Sequence, residues 1–195
     1  LEAIRAIETG IEIADEKAKE GYRVFTIGEM GISNTTSSAC ILGAFNHWNA
    51  IEVTGRGTNI SDERLRHKID VVQRAMDVNH PDPNDGLDVL SKVGGFEYGC
   101  MTGVILGAAA NHALTIIDGF NTTASAFIAK ALCPEVVHYL MASHLSLEQA
   151  HKKSLAALGL TEYIDLDFRL GEAIGAGIQT RMLDYALSCL LYTSD

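Results

Sequence analysis

Residues 22–36, YRVFTIGEMGISNTT, decide how this chain folds. Tyr22 to Ile27 is rich in β-branched and aromatic residues, the composition of a short buried strand. It runs directly into Gly28-Glu29-Met30-Gly31-Ile32-Ser33 and then into a small-residue helix through about Ala44. Strand, glycine loop and helix, in that order, form the layout of a ligand-binding turn at the carboxyl end of a strand.

The same pattern recurs on the C-terminal side. Ala113 to Ile117 reads as a second strand, ending at Asp118-Gly119-Phe120 and followed by a helix. Val136 to Met141 reads as a third, ending at Ser143-His144-Leu145-Ser146 before a helix that contains Glu148 and His151. Ile164-Asp165-Leu166-Asp167-Phe168 leads through Arg169-Leu170-Gly171-Glu172 into a helix from Ala173 to about Leu187. Strands alternating with helices imply a three-layer α/β fold: a mostly parallel, Rossmann-like sheet with helices on both faces. Polar and glycine residues gather after successive strands, where such sheets bind ligands.

Between these units lie further helices. Leu1 to Glu20 places Ile4, Ile7, Ile11, Ala14 and Ala18 at helical spacing. Ser61 caps a helix with Asp62 and Glu63 in its first turn and Leu65, Ile69, Val72 and Met76 as its buried stripe. His80-Pro81-Asp82-Pro83-Asn84-Asp85-Gly86 is a surface loop by composition and a candidate mobile lid. Gly94-Gly95-Phe96-Glu97 opens a helix dense in Gly and Ala, whose small residues predict close packing on a neighbour. The 195 residues are read as one α/β domain.

Composition narrows the function. Apolar residues are 47% and charged residues 21% of the chain, so a sizeable core is available. The formal net charge of −10 argues against a nucleic-acid or anionic-membrane surface, which needs clustered Lys and Arg. No apolar run approaches the ~20 residues of a membrane span, and the charged N-terminal stretch is no signal peptide. Cys40, Cys100, Cys133 and Cys189 form no CxxC pair and no zinc spacing, and are expected to be buried thiols in a reducing cytoplasm. No metal or cofactor is called for. His112, His138, His144 and His151 make no tight ligand set, and Ser143 and Ser146 sit in no GxSxG elbow.

Several residues could carry chemistry. Glu29 is either a ligand-contacting carboxylate or a polar residue satisfying loop N–H groups. Its loop lacks the Lys of a P-loop, but loop N–H groups at a helix N-terminus can still cradle an anion. Arg56, between two glycines, is a candidate phosphate ligand. Lys68, among Arg64, Arg66 and His67, is either part of a solvated helical face or a further one. Glu172 lies between Leu170-Gly171 and Ala173-Ile174-Gly175 at a helix start. Partial burial there would raise its pKa and the helix dipole would lower it, and such a carboxylate could take a proton from a weakly acidic N–H. A helix-start Glu without chemistry is the alternative.

Taken together, GEMGISNTT (28–36), GRGT (55–58), LRHKIDVVQRA (65–75), GGFE (94–97), IIDGF (116–120), HLSLEQAH (144–151) and DLDFRLGE (165–172) resemble one family. It is the nicotinate-nucleotide:dimethylbenzimidazole phosphoribosyltransferases of cobalamin lower-ligand synthesis. The resemblance implies that nicotinate mononucleotide and 5,6-dimethylbenzimidazole, or a related base, give α-ribazole 5′-phosphate and nicotinate. The family's general base is the Glu of its RLGEG motif, which falls on Glu172. Glu29, Met30 and Gly31 match the loop near ribose and bases. Gly57, Lys68, Ser146 and the Leu170-Gly171 backbone match phosphate-holding positions, and Asp118 and Gly119 match the turn beside the ribose. Family chains are longer, so the sequence is expected to be a fragment lacking an N-terminal segment, and residues 189–195 an unrelated tail. The resemblance also implies a homodimer. A non-catalytic nucleotide-binding fragment or subunit of a hetero-oligomer is the competing reading.

The chain departs from the family pattern at specific places. Ser33, Asn59 and Asp167 stand where the family usually has Gly, and Ala173-Ile174 replaces Gly-Thr after the catalytic Glu. The loop substitutions threaten the loop geometry if φ is positive there. Bulkier residues after Glu172 bear on which base is accepted.

Overall fold

The computed structural model describes residues 1–168 and 170–192. Helix α1 (Glu2–Lys19) precedes strand β1 (Val24–Ile27), followed by α2 (Asn34–Asn46), the short α3 (Ala50–Val53), α4 (Asp62–Asn79), α5 (Gly86–Val93) and α6 (Phe96–Ala110). Strand β2 (Leu114–Ile117) and α7 (Phe120–Leu132) lead through a 3-10 helix (Pro134–Tyr139) to β3 (Leu140–Ala142) and β4 (His144–Ser146). Helix α8 (His151–Leu158), β5 (Ile164–Phe168) and α9 (Ile174–Tyr192) complete the order.

Among the described residues all strand pairs are parallel. Val24 to Ile27 of β1 register with Leu114 to Ile117 of β2, and Ile117 with Ala142 of β3. A second parallel pair, β4–β5, aligns His144 with Ile164 and Ser146 with Phe168 across a bulge. Ser143 joins the two sheets: its N–H donates to Ile117 O at 3.2 Å, and its carbonyl accepts from Tyr163 and Ile164. Thr115, Ile116 and Ile117 are consecutive and all buried. Since their side chains alternate, both faces of β2 are covered. Helices α6 and α7 pack on each other and on β2, whereas α9 crosses β1, β2, β4 and β5.

The small residues of α6 act as predicted, with α1 as the partner. A Cβ on Gly10 would stand 2.0 Å from Cys100 O, and one on Gly103 would stand 2.0 Å from Ile7 O. The two backbones touch, and only glycine fits there. Ile7, Ala14 and Ala18 are buried as the periodicity predicts, but Ile4 is exposed. Ser61 caps α4 by accepting from Arg64 N.

Several expectations fail, and Glu148 lies in the bend before α8 rather than inside a helix. The third strand is shorter than Val136 to Met141, because Pro134 opens a 3-10 helix that runs to Tyr139. Gly86, expected to end the surface loop, is instead the first residue of helix α5, capped by Asp85, which accepts from Leu87 N and Asp88 N. The loop that precedes it stays on the surface as expected, with Asp82 N donating to Asp88 and Lys92 Nζ to His80 O at 2.9 Å. Of the cysteines only Cys40 is buried; Cys100 and Cys133 are half-buried and Cys189 is exposed. As for the expected tail, Cys189 to Tyr192 continue α9, while residues 193–195, like Arg169 of the DLDFRLGE motif, lie outside the described residues.

Candidate active site

The carboxyl ends of β1, β2, β4 and β5 open into one cavity of about 640 Å³. Glu29, Met30, Gly31, Gly57, Lys68, Asp118, Gly119, Ser146, Leu170, Gly171 and Glu172 all line it. None of the candidate lid, 80–86, does. The parallel topology explains the convergence, because every strand delivers its following loop to the same edge of the sheet.

Glu29 follows β1, and its carboxylate accepts from the side-chain amides of Asn34 and Asn121. Asn121 Oδ1 accepts from Ser38 Oγ at 2.6 Å, Ser38 bonds the Tyr98 hydroxyl, and that hydroxyl donates to Asn34 O. Tyr98 is fully buried, and burial pushes its phenol well above the usual range. Glu29 is therefore fixed by side-chain amides rather than by the loop N–H groups the sequence suggested. Met30 and Ile32 beside it are exposed and form an apolar lip.

The opposite end is cationic. Lys68 Nζ donates to Thr35 Oγ1 at 2.8 Å and to Gly55 O at 3.0 Å. Burial lowers its pKa, and Glu148 pulls it back up. Gly57, at φ +51°, passes so close that an added Cβ would sit 3.1 Å from Thr35 Oγ1 and 3.7 Å from Lys68 Nζ. Arg56 and Arg64 line the same end, with Arg56 paired to Asp62 and donating to Ile60 O. Lys68 thus points into the site, not along a solvated face. This corner suits a dianion such as a phosphate.

Ser146 ends β4. Its N–H donates to His151 Nδ1 at 2.9 Å, and its Oγ accepts from Glu148 N. What it can offer a ligand is the hydroxyl proton. Because His151 Nδ1 accepts, Nε2 carries the proton and donates to Thr123 Oγ1, which donates to Gly119 O. Burial and neighbouring His144 push the His151 pKa down to about 3, so the ring is neutral. This chain of bonds ties the β4 loop to the start of α7.

Asp118 follows β2 and is almost fully buried. Its Oδ1 accepts from Ala176 N at 3.0 Å, and its carbonyl accepts from Ser143 Oγ at 2.8 Å. Burial raises its pKa, while the α9 amides and His144, 3.7 Å away, pull it down. Glu172 is exposed rather than partly buried. It and Ala173 both adopt the left-handed conformation, φ 63° and 62°, before α9 starts at Ile174. Two successive left-handed residues turn the side chain outward to the cavity rim, and Glu172 N donates to Glu29 O at 3.2 Å.

Sequence reading missed Asn34, Asn121, Thr35 and Glu148 at this site. Asn34 and Thr35 start the helix after the glycine loop, and Asn121 follows the DGF turn, so their positions alone were a signal. Glu148 Oε2 is buried and has no hydrogen-bond partner among the described residues.

A family model described as phosphoribosyltransferase matches residues 1–194 of this chain. Proteins named nicotinate-nucleotide–dimethylbenzimidazole phosphoribosyltransferase are similar to it. That from Syntrophotalea carbinolica is 50% identical over 185 residues, which is 95% of this chain and 52% of the relative. That from Clostridioides difficile is 48% identical over 177 residues, 91% of this chain and 51% of the relative. The crystal structure of CobT from Thermus thermophilus superposes with a TM-score of 0.89 at 38% identity, covering 94% of this chain and 55% of that one. The chain spans about half the length of the curated relatives it matches.

Proposed function

This chain belongs to the nicotinate-nucleotide–dimethylbenzimidazole phosphoribosyltransferase family, and on that premise we propose that it transfers phosphoribosyl from nicotinate mononucleotide to 5,6-dimethylbenzimidazole or a related base. The products are α-ribazole 5′-phosphate and nicotinate. The observation that carries the reading is the convergence of a cationic corner and an exposed carboxylate, Glu172, on one cavity at the strand ends.

Lys68, the Gly57 backbone and the Ser146 hydroxyl hold the 5′-phosphate, which fixes the ribose over the Asp118-Gly119 turn. The acceptor lies against Met30 and Leu170, within reach of Glu172. Glu172 takes the N–H proton of the benzimidazole while the other ring nitrogen donates its electron pair to C1′. The C1′–pyridinium bond breaks as the new C1′–N bond forms, and nicotinate leaves with that electron pair. Attack opposite the departing ring inverts β to α. The leaving group is cationic before it departs and needs no acid, so positioning, one base and phosphate binding suffice. The same reading includes a cytoplasmic homodimer. Its support is the row of Ile178, Met182 and Tyr185 exposed along α9, an apolar face of the kind that marks partner surfaces.

Nicotinate release from the mononucleotide, followed with a panel of benzimidazoles, phenols and adenine, tests the reaction. Glu172→Gln should lower turnover by roughly 10²–10⁴, the contribution of a positioned base, with little change in mononucleotide binding. Turnover within a few-fold of the parent for every acceptor would remove Glu172 from the mechanism.

A further inference from the structure

We propose that Asp118 is a positioning residue: its carboxylate anchors the first turn of α9 and thereby fixes where Glu172 stands, rather than contacting the ribose. The segment 172–176 is pinned at both ends. Glu172 N donates to Glu29 O at 3.2 Å, and Ala176 N donates to Asp118 Oδ1 at 3.0 Å. Between these pins lie the two left-handed residues, Glu172 and Ala173. L-residues leave that conformation unless their surroundings over-determine it.

The walls on either side supply the rest of the constraint. A Cβ on Gly28 would lie 2.2 Å from Ala173 N, and one on Gly175 would lie 1.9 Å from His144 Nδ1. The turn is thus seated between the β1 loop and the buried His144 ring. Asp118 is itself held from behind, since Ser143 Oγ donates to its carbonyl at 2.8 Å. Only 3% of its surface is exposed, so it has little left to offer a substrate. Its carboxylate faces the N–H groups of Ala176, Gly175 and Ala173, all of which favour the charged form.

The inference rests on the reading of Glu172 as the base, but its test is separable from that reading. Amide hydrogen exchange on the 195-residue chain should show Ala176 protected, although a third N–H in a helix has no intrahelical acceptor. Asp118→Asn keeps the size of the side chain but replaces one of its two acceptor oxygens with an NH2 donor, so the N–H groups of Ala173, Gly175 and Ala176 lose their shared charged acceptor. Exchange of the Ala176 amide should then quicken by tenfold or more, while α6 keeps its protection as the control for folding. In the transfer assay the same variant should lose turnover by roughly 10²-fold, the cost of a displacement near 1 Å, with the KM for nicotinate mononucleotide within about threefold of the parent.

An unprotected Ala176 amide in the parent chain overturns the proposal without any variant, which covers the case of an Asn variant that does not fold. A raised KM with unchanged exchange also overturns it and makes Asp118 a substrate ligand. If the parent releases no nicotinate with any acceptor, the proposed reaction fails, and the exchange measurement still decides whether Asp118 anchors the turn.

Discussion

The buried, neutral imidazole of His151 makes stability depend on pH. His151 is 1% exposed and its pKa is pushed down to about 3, whereas the unfolded chain returns it to an ordinary value near 6.5. Between those limits the unfolded chain binds a proton that the folded chain does not. The contribution of His151 is therefore complete above about pH 6.5 and is lost as pH falls toward 3. From pH 7.5 to pH 5.5 the loss from this one group is about 1.4 kcal/mol, and by pH 4.5 it reaches about 2.7 kcal/mol. The first figure holds for any folded pKa below about 4.5, so it does not hang on the depth of the shift. His151→Gln preserves both hydrogen bonds, since its amide can accept from Ser146 N and donate to Thr123, but it does not titrate. Urea unfolding at pH 7.5, 6.5 and 5.5 should show the variant losing about 1.4 kcal/mol less than the parent across the window. His144 is pushed down by burial too, against the pull of Asp118, and it stays in both proteins, so the difference isolates His151. Equal slopes for the two proteins would mean that His151 is protonated in the folded state and that the Ser146–His151–Thr123 chain is wrong.

Lys68→Ala should weaken nicotinate mononucleotide binding by about 1–3 kcal/mol, the range for a lost charge-assisted hydrogen bond, with no effect on the unphosphorylated nucleoside. Calorimetry with both ligands checks this, and equal weakening refutes the phosphate assignment. Ala173→Gly should raise stability by about 0.5–1 kcal/mol, because relief of the left-handed backbone outweighs the entropy of glycine. Ser33→Gly should act in the same direction, and thermal melts that fall for both would place these residues at negative φ.

The sequence made the first strand–loop–helix unit legible because its signals agree: β-branched and aromatic residues, then glycines, then small helical residues. Where signals compete, local reading failed. Val136 and Val137 favour a strand, but Pro134 sets the backbone angle that starts the 3-10 helix. Gly86 reads as loop, yet Asp85 caps the amides of Leu87 and Asp88 and makes it the first residue of α5. The side chains of the site could be found from their places after strands, but their partners could not. Asn34 and Asn121 meet only because β1 and β2 are adjacent, so the clamp on Glu29 is a product of tertiary structure. The apolar neighbours of Glu172 argue for burial, but Leu170 and Ile174 are themselves exposed and leave Glu172 uncovered.

The departures from the family pattern bear on the same point. Ser33, Asn59, Asp167 and Ala173 stand where the family usually has glycine, and their φ values are 75°, 68°, 54° and 62°. All four backbones lie in the left-handed region, which glycine enters freely. Asn and Asp enter this region at modest cost, since their short polar side chains bond locally, whereas Ser and Ala lack that compensation. The strain therefore concentrates at Ser33 and Ala173, in the loop after Glu29 and in the turn after Glu172. A strained residue persists only where neighbouring contacts hold it. At Ala173 those contacts are the Gly28 backbone, the Glu29 carbonyl bonded to Glu172 N, and the Asp118 carboxylate bonded to Ala176 N. Each of these is also part of the cavity wall or lies directly behind it. Loosening any one of them should move the Glu172 carboxylate before it unfolds the sheet, because β2 is paired on both sides by β1 and β3 and covered by α6 and α7.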